Sequence, residues 1–388
     1  MNDINSEYDY EGNETGFEKE DKENDIDVPF DPSKIDIIVD RIPIINLEKR
    51  LDNMELDLTP EFQRAANIWD NKRKSRLIES ILLRIPLPSF YFSEDRLGNY
   101  SVVDGLQRLC AIFHFMNFSA LNKATRSALN PLRLTGLQYI SEIEGLTFHE
   151  IDRKFQRRIE ELVISVNIIR PNTPNAVKFN VFARLNQGGM PLNAQEIRNA
   201  IFTGEWRDHI RELAESEDFL RATEGKITKL RQQDMELVLR YISHYQLGEP
   251  FERNANTNLD GFLNKTVEEV LSNWTADEWS DAKYNFYRAI NYAYKLLGEN
   301  AFRKTTFSNS RAPINRGLFE AQLLAITSLT DDEVNFLLKE KNRVNISIQN
   351  RIASDMELSK SLTASTGSAK ASAIRYFAMS ESLKGCLL

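Results

Sequence analysis

Apolar and polar positions follow two different patterns along the chain, and the change between them divides it. Between residues 35 and 171, short β-rich runs are mixed with helical patterns. From residue 174 onward, almost every segment has apolar residues three or four positions apart, which is the helical period. The pattern predicts an α+β fold, with a mixed domain over residues 35–172 and an all-helical domain over residues 173–388.

Several elements of the mixed domain have recognisable ends. Asp70 stands at a helix N-cap position, and the prolines of the following IPLPSF run stop that helix. A hairpin comes next, with its turn at Gly98. Thr147 and Glu150 form a capping box that predicts a helix up to about residue 161. The β-branched run LVISVNIIR then predicts a closing strand.

The first 34 residues differ in composition from the rest. They hold twelve acids and three bases, a net charge of −9, whereas the whole chain has a net charge of −8. The remaining residues are therefore nearly neutral, and the overall acidity does not exclude contact with nucleic acid. A segment so rich in Asp, Glu, Asn and Gly cannot bury enough apolar surface to offset the entropy of ordering. We predict a disordered acidic leader over residues 1–34.

Membrane insertion and disulfide bonding are not expected. No apolar run approaches the roughly 18–20 residues that a membrane span needs, and the N-terminus has no signal-peptide pattern. We expect a cytoplasmic protein without a membrane partner. Cys110 and Cys386 are too few for a disulfide framework and have no neighbours at metal-ligand spacing, so a structural zinc site is not expected.

The segment VVDGLQRL at residues 102–109 carries the most informative chemistry. A predicted strand delivers Asp104 and Gly105 to the start of a helix, where unpaired backbone N–H groups and the helix dipole attract an anion. Arg108, in the first helical turn with Gln107, offers a guanidinium fork suited to phosphate oxygens, and Asp104 is a candidate ligand for Mg²⁺. Such a turn is also common as a purely structural feature, so both interpretations stay open at this point.

Together with two further segments, this turn resembles the N-terminal domain of GmrSD-type modification-dependent restriction enzymes, which has the ParB/sulfiredoxin fold. The family motifs are FQR near the start, DGQQR after a hairpin and RLNxGGxxLNxQEIRNA further on. This chain has FQR at residues 62–64, DGLQR at residues 104–108 and RLNQGGMPLNAQEIRNA at residues 184–200. The motifs occur in the family's order, and the resemblance covers about residues 35–210.

The resemblance implies a turn that binds and hydrolyses a nucleoside triphosphate with Mg²⁺, in connection with sensing of modified or invading DNA. It makes Asp104, Gln107 and Arg108 the expected catalytic residues, with Asp104 as the metal ligand. The expected nucleotide-binding residues are Gln63, Arg64, Asp104, Gly105, Gln107, Arg108, Arg184 and Asn186. The chain departs from the motif at Leu106, where the family has glutamine, and Leu106 shares a helical register with the apolar Leu109 and Phe113.

The third motif allows two interpretations. Asn193 and Glu196 predict a capped helix start after the glycines at 188 and 189. Four polar side chains cluster near this connection: Arg184, Asn186, Gln195 and Arg198. The cluster is either a hydrogen-bonded elbow between domains or, as the resemblance implies, a place where Arg184 and Asn186 face the nucleotide.

Two basic segments are candidates for DNA contact, because cations with interleaved aromatic residues suit phosphates and bases. The candidate residues are Lys72, Arg73, Lys74, Arg303, Lys304 and Arg311. A solvated surface is the simpler interpretation of either segment alone. The acidic leader is a candidate to occupy such a segment within the molecule, as a mimic of DNA.

Other chemistries are less well supported by the sequence. Full-length GmrSD-type enzymes carry a C-terminal HNH nuclease, which needs histidine, and no histidine follows His244 here. His114 is predicted to be a packing residue. Sulfiredoxin activity needs a cysteine at the place of Leu106, and Cys110 is predicted to pack inward instead.

We therefore expect an NTP-binding and NTP-hydrolysing sensor or regulator subunit in DNA restriction or phage defence. Its expected partners are DNA and a separate effector nuclease chain. One alternative is a non-catalytic DNA-binding module in which the Arg108 turn grips DNA phosphate. A nuclease within the ParB-like domain is a third interpretation. No oligomeric state follows from the sequence.

Overall fold

The computed structural model places the chain in two units. It describes residues 6–8, 14–19, 35–58, 69–125, 127–185, 193–202, 204–227, 232–255, 257–304, 312–364 and 366–388. One unit comprises Phe30–Ile201, and the other combines Met1–Pro29 with Phe202–Leu388. The architecture is α+β, as the sequence predicts.

A five-stranded sheet lies at the centre of the Phe30–Ile201 unit, with strand order β3-β7-β5-β6-β4. The strands of the described chain are β1 (Ser6–Tyr8), β2 (Glu14–Glu18), β3 (Ile37–Pro43), β4 (Leu56–Asp57), β5 (Phe90–Glu94), β6 (Tyr100–Asp104) and β7 (Val163–Ile169). β4 runs parallel to β6 and β5 runs parallel to β7, whereas β3–β7 and β5–β6 are antiparallel pairs. Tyr91 of β5 lies opposite Asp104 of β6.

Helices cover both faces of this sheet. They are α1 (Ile44–Asp52), α2 (Asn71–Leu82), α3 (Leu106–Met116), α4 (Phe118–Thr125), α5 (Arg153–Glu160), α6 (Asn175–Leu185) and α7 (Ala194–Ile201). Successive strand residues point to opposite faces. Val102 accordingly packs with the larger core under α1–α5, and Val103 packs with Phe182 of α6 and Ile197 of α7. The unit therefore has three layers.

The element ends predicted at Asp70 and Gly98 agree with the structure, whereas the helix start predicted at Thr147 does not. The Asp70 carboxylate caps α2 by accepting from the Arg73 N–H at 2.6 Å, and Gly98 forms the hairpin turn with a positive φ. Glu150 does accept from the Thr147 N–H, but no helix starts there. Helix α5 begins at Arg153 because Asp152 is its N-cap residue.

The Phe202–Leu388 part of the second unit is built from helices. They are α8 (Trp206–Ala214), α9 (Glu217–Thr223), α10 (Gln233–Tyr245), α11 (Leu259–Lys265), α12 (Ala276–Leu297), α13 (Arg316–Thr327), α14 (Asp331–Lys339), α15 (Lys341–Ser354), α16 (Met356–Ser361) and α17 (Ala369–Lys384). Every residue of α13 from Arg316 to Ile326 is buried, so this helix lies at the centre. An ion pair between Glu320 and Arg375 joins α13 to α17 inside the core.

The prediction of a disordered leader is wrong for the described residues 6–8 and 14–19. β1 and β2 form an antiparallel pair, and Phe17 on β2 is fully buried. Burial of this aromatic ring and ion pairs of Glu7 and Glu18 offset the cost of ordering. The other residues of the predicted leader lie outside the described residues.

The boundary between the units lies after Ile201 rather than near residue 172. The reason is that α6 and α7 bury Phe179, Phe182 and Ile197 against the sheet, so they belong with it. Among the described helices, none combines the length and the apolar character that crossing a membrane requires.

Candidate functional site

The turn from β6 into α3 has the backbone geometry that the sequence predicts. β6 ends at Asp104, α3 starts at Leu106, and Gly105 between them has a left-handed φ of 93°. A Cβ at Gly105 would overlap the ring of Phe90, so both the dihedral angle and the space select glycine. Gly105 is the N-cap residue and has no capping side chain. The first N–H groups of α3 therefore form a positive helix end of the type that attracts anions.

Arg108 is tied into the protein rather than extended toward solvent. Its Nη1 donates to the Pro88 carbonyl at 2.5 Å, and its Nη2 donates to the Ser89 carbonyl at 3.3 Å and to Asp104 Oδ2 at 2.9 Å. The guanidinium also stacks on the Phe90 ring at 4.4 Å. These contacts fasten the turn to the start of β5.

Arg108 lies in a largely buried environment. Its side chain is only 14% exposed. Burial lowers the pKa of Arg108, and the adjacent Asp104 carboxylate opposes that shift. Arg108 makes three hydrogen bonds within the chain, to Pro88, Ser89 and Asp104. Its main role in the structure is therefore to position the turn.

Asp104, Leu106 and Gln107 divide between surface and core. The Asp104 side chain is 41% exposed, and Gln107 is half-buried. Leu106 is 3% exposed and belongs to the main core of the sheet unit. The departure from the DGQQR motif therefore lies on the packed side of α3, which leaves Asp104, Gln107 and the backbone as the polar groups at the turn.

Four predicted nucleotide-binding residues lie outside the part of the chain whose side chains are described: Gln63, Arg64, Arg184 and Asn186. The structure does place the strand that precedes the FQR motif. β4 runs parallel to β6, with Leu56 opposite Tyr100, so both strands run toward the sheet end that carries Asp104.

The polar residues of α7 form a buried network. Asn193 and Glu196 make the predicted reciprocal cap, with bonds of 2.6 and 2.8 Å. Arg198 is fully buried and donates to Gln195 Oε1 at 2.5 Å, and Gln195 donates to Asn199 at 3.0 Å. Gln195 and Arg198 therefore act in packing α7.

Lys74 is not a DNA-contacting surface residue, contrary to the prediction. It is 2% exposed, and its Nζ lies 3.3 Å from Nδ1 of His114. His114 is a packing residue, as predicted, with Nε2 donating to the Asn130 carbonyl at 2.8 Å. Cys110 packs inward as predicted, and burial raises the pKa of its thiol to about 12. Lys72 and Arg73 are exposed, with Arg73 stacked on Trp69.

Arg303 and Lys304 are likewise engaged within the chain. Arg303 is 4% exposed and donates to the Ala312 carbonyl at 2.6 Å. Lys304 pairs with Glu18 of the leader, with 2.7 Å between Nζ and Oε1. In this arrangement neither is a free DNA-binding cation. Arg311 lies outside the described residues.

The described residues contain no group of three or more His, Cys, Asp or Glu side chains suited to a metal ion. Asp104 is a half-exposed carboxylate at the turn, and its Oδ2 is paired with Arg108. That donor set fits Mg²⁺ delivered with a phosphate ligand, since protein sites for such ions often supply one or two carboxylates and leave the rest to phosphate and water.

Comparison with known proteins agrees with the motif pattern. Residues 45–203 match the family model described as GmrSD restriction endonuclease, N-terminal domain. This range contains the turn at Asp104–Arg108 and the α7 motif. No curated protein and no solved structure matches the chain.

Proposed function

We propose that this chain is an NTP-dependent sensor or regulator subunit in restriction or phage defence, because residues 45–203 match the model of the GmrSD restriction endonuclease N-terminal domain family. The nucleotide binds at the β6–α3 turn. The observation that carries this proposal is the helix start at Gly105, where α3 has no capping side chain and glycine alone fits.

Each group at the turn has a separate proposed role. The N–H groups at the start of α3 and the Gln107 side chain contact the triphosphate. Asp104 holds Mg²⁺, which neutralises phosphate charge when it is bound. Arg108 keeps Asp104 and the turn in place through its bonds to Asp104, Pro88 and Ser89, and its positive charge lies next to the phosphates.

Hydrolysis is the second part of the proposal. Water attacks the γ-phosphorus, the bond from that phosphorus to the bridging oxygen breaks, and the products are a nucleoside diphosphate and inorganic phosphate. Gln107 is the side chain proposed to orient this water. The burial of Leu106 supports a turn in which the family's first glutamine is dispensable.

The test is a thermal-shift series with the four NTPs and Mg²⁺, with phosphate release measured in parallel. A ligand at 100 times its Kd stabilises a protein by about 2.7 kcal/mol. Gly105→Ala should remove the shift. Gly98→Ala is the matched control, because Gly98 also has a positive φ but a Cβ there would meet open space.

Failure of all four nucleotides to stabilise the chain would contradict the proposal. In that case a shift with DNA alone would support the non-catalytic DNA-binding alternative. Lys72 and Arg73 are the predicted DNA-contacting cations that are exposed in the described chain. DNA cleavage by the purified chain that is lost in Asp104→Ala would favour the nuclease interpretation instead.

A further inference from the structure

The leader makes a strand-like contact with the segment that precedes α13. The Glu18 N–H donates to the Ile314 carbonyl at 2.9 Å, and the Ile314 N–H donates to the Gly16 carbonyl at 3.1 Å. Phe17 and Ile314 form a parallel bridge. The N–H and the carbonyl of Ile314 are thus both bonded to the extended leader, which is the backbone pattern of strand addition.

The side chains at this contact select a particular sequence. Phe17 is fully buried, and the Arg316 guanidinium lies 3.9 Å from the centre of its ring. A Cβ at Gly16 would overlap the Lys226 carbonyl, and the φ of Gly16 is +83°. The contact therefore accepts glycine followed by an aromatic residue.

Charged groups flank the aromatic position on both sides. Glu18 accepts from Lys304 at 2.7 Å and from the Asn315 amide at 2.8 Å, and Glu7 accepts from Arg316 at 2.6 Å. All four ion-pairing side chains are less than one-fifth exposed. Arg316 Nη1 is buried without a hydrogen-bond partner, so its charge is only partly matched by the leader.

We propose that Lys304, Ile314, Asn315 and Arg316 form a peptide-docking site for an extended glycine–aromatic–acid segment, here called the strand site. The leader fills the strand site in cis, and a protein partner that carries the same pattern takes its place in trans. The backbone bonds favour a peptide over nucleic acid, because Ile314 presents a donor and an acceptor at strand spacing. This inference does not depend on nucleotide binding.

The cis occupant makes a defined prediction about competition. A tethered segment has an effective concentration of the order of mM, so it masks the strand site from a free peptide. Substitutions in the leader that weaken its contacts should expose the strand site and leave the residues of the strand site unchanged. Phe17→Ala in the full-length chain does this, and Gly16→Val is a second variant that acts through a steric clash.

The experiment measures fluorescence anisotropy of a labelled peptide with the sequence of residues 5–20. We expect the Phe17→Ala and Gly16→Val chains to bind it at least tenfold more tightly than the unmodified chain. Adding Arg316→Gln to either variant should abolish this gain. A peptide that itself carries Phe17→Ala is the matched ligand control and should bind at least tenfold more weakly.

Three results would overturn the proposal. The first is no peptide binding by either variant when its circular dichroism spectrum matches that of the unmodified chain. The second is loss of folding in both variants, which would make the leader an integral strand and not an exchangeable one. The third is binding of a labelled oligonucleotide but not of the peptide, which would make the strand site a nucleic-acid surface.

Discussion

Arg108 and Asp104, four residues apart, form an ion pair in which Nη2 and Oδ2 are separated by 2.9 Å. The same guanidinium bonds to two carbonyls that precede β5. One side chain therefore connects the end of β6, the start of α3 and the start of β5. Because Arg108 and Asp104 hold each other in place, a substitution of one should change the position of the other.

Arg108→Ala should lower stability as well as any nucleotide binding. It leaves two carbonyls and the Asp104 carboxylate without their donor, and we expect a loss of about 2–3 kcal/mol in the free energy of unfolding. Urea unfolding measures this loss. Arg153→Ala is the control, because Arg153 pairs with Glu160 at an exposed position and should change the midpoint far less. An Arg108→Ala chain as stable as the unmodified one would show that these bonds are dispensable.

The turn at Gly105 can be predicted from the sequence, but the distant partners of Arg108 cannot. A strand, a glycine and a helical pattern within ten residues predict the turn at Gly105. Besides Asp104, the partners of Arg108 are backbone carbonyls about twenty positions away, at Pro88 and Ser89. Every residue has a carbonyl, so no residue type marks these two.

Lys74 shows a signal that helical spacing does contain. It lies four residues before Ile78 and eight before Leu82, on the face of α2 that is buried. Its neighbours Lys72 and Arg73 lie on the exposed face. The register of α2 separates Lys74 from Lys72 and Arg73, a distinction that the number of cations in the segment does not contain.

The leader was mispredicted for a different reason. Its composition is an average over the whole segment, but its order depends on the buried Phe17 ring and on cations about 300 residues away in the sequence, Lys304 and Arg316. The composition of a segment contains no information about partners so far away in the sequence. The helices and the central strands were predictable because their apolar periodicity is local.

Leu106→Gln should destabilise the chain instead of improving the site. Leu106 is packed in the main core, and burying an amide there costs about 1–3 kcal/mol unless it finds partners. We expect a lower melting temperature and no rise in phosphate release. Leu97→Gln is the control, because Leu97 is 87% exposed and should be nearly neutral. Increased phosphate release at unchanged stability would mean that position 106 faces the nucleotide.

The Glu79 carboxylate anchors the loop after residue 137 from its place on α2. It is buried, and it accepts from the N–H groups of Gln138, Tyr139 and Ile140 at 2.6–3.0 Å. Burial alone would raise the pKa of Glu79, but these N–H groups, helped by Arg76, outweigh that effect and hold the pKa of Glu79 below its ordinary value.

This arrangement makes stability depend on pH in a definite direction. A carboxyl whose pKa is lower in the folded state stabilises the fold above its unfolded pKa, and that contribution disappears as the pH falls through the folded pKa. Glu79→Gln has no charge to titrate. The stability difference between the unmodified chain and Glu79→Gln should therefore be largest near pH 7 and should shrink below pH 4.5. Urea unfolding from pH 7 to pH 3 measures it, with the exposed Glu142→Gln as control. A difference that stays constant across this range would show that Glu79 acts by shape alone.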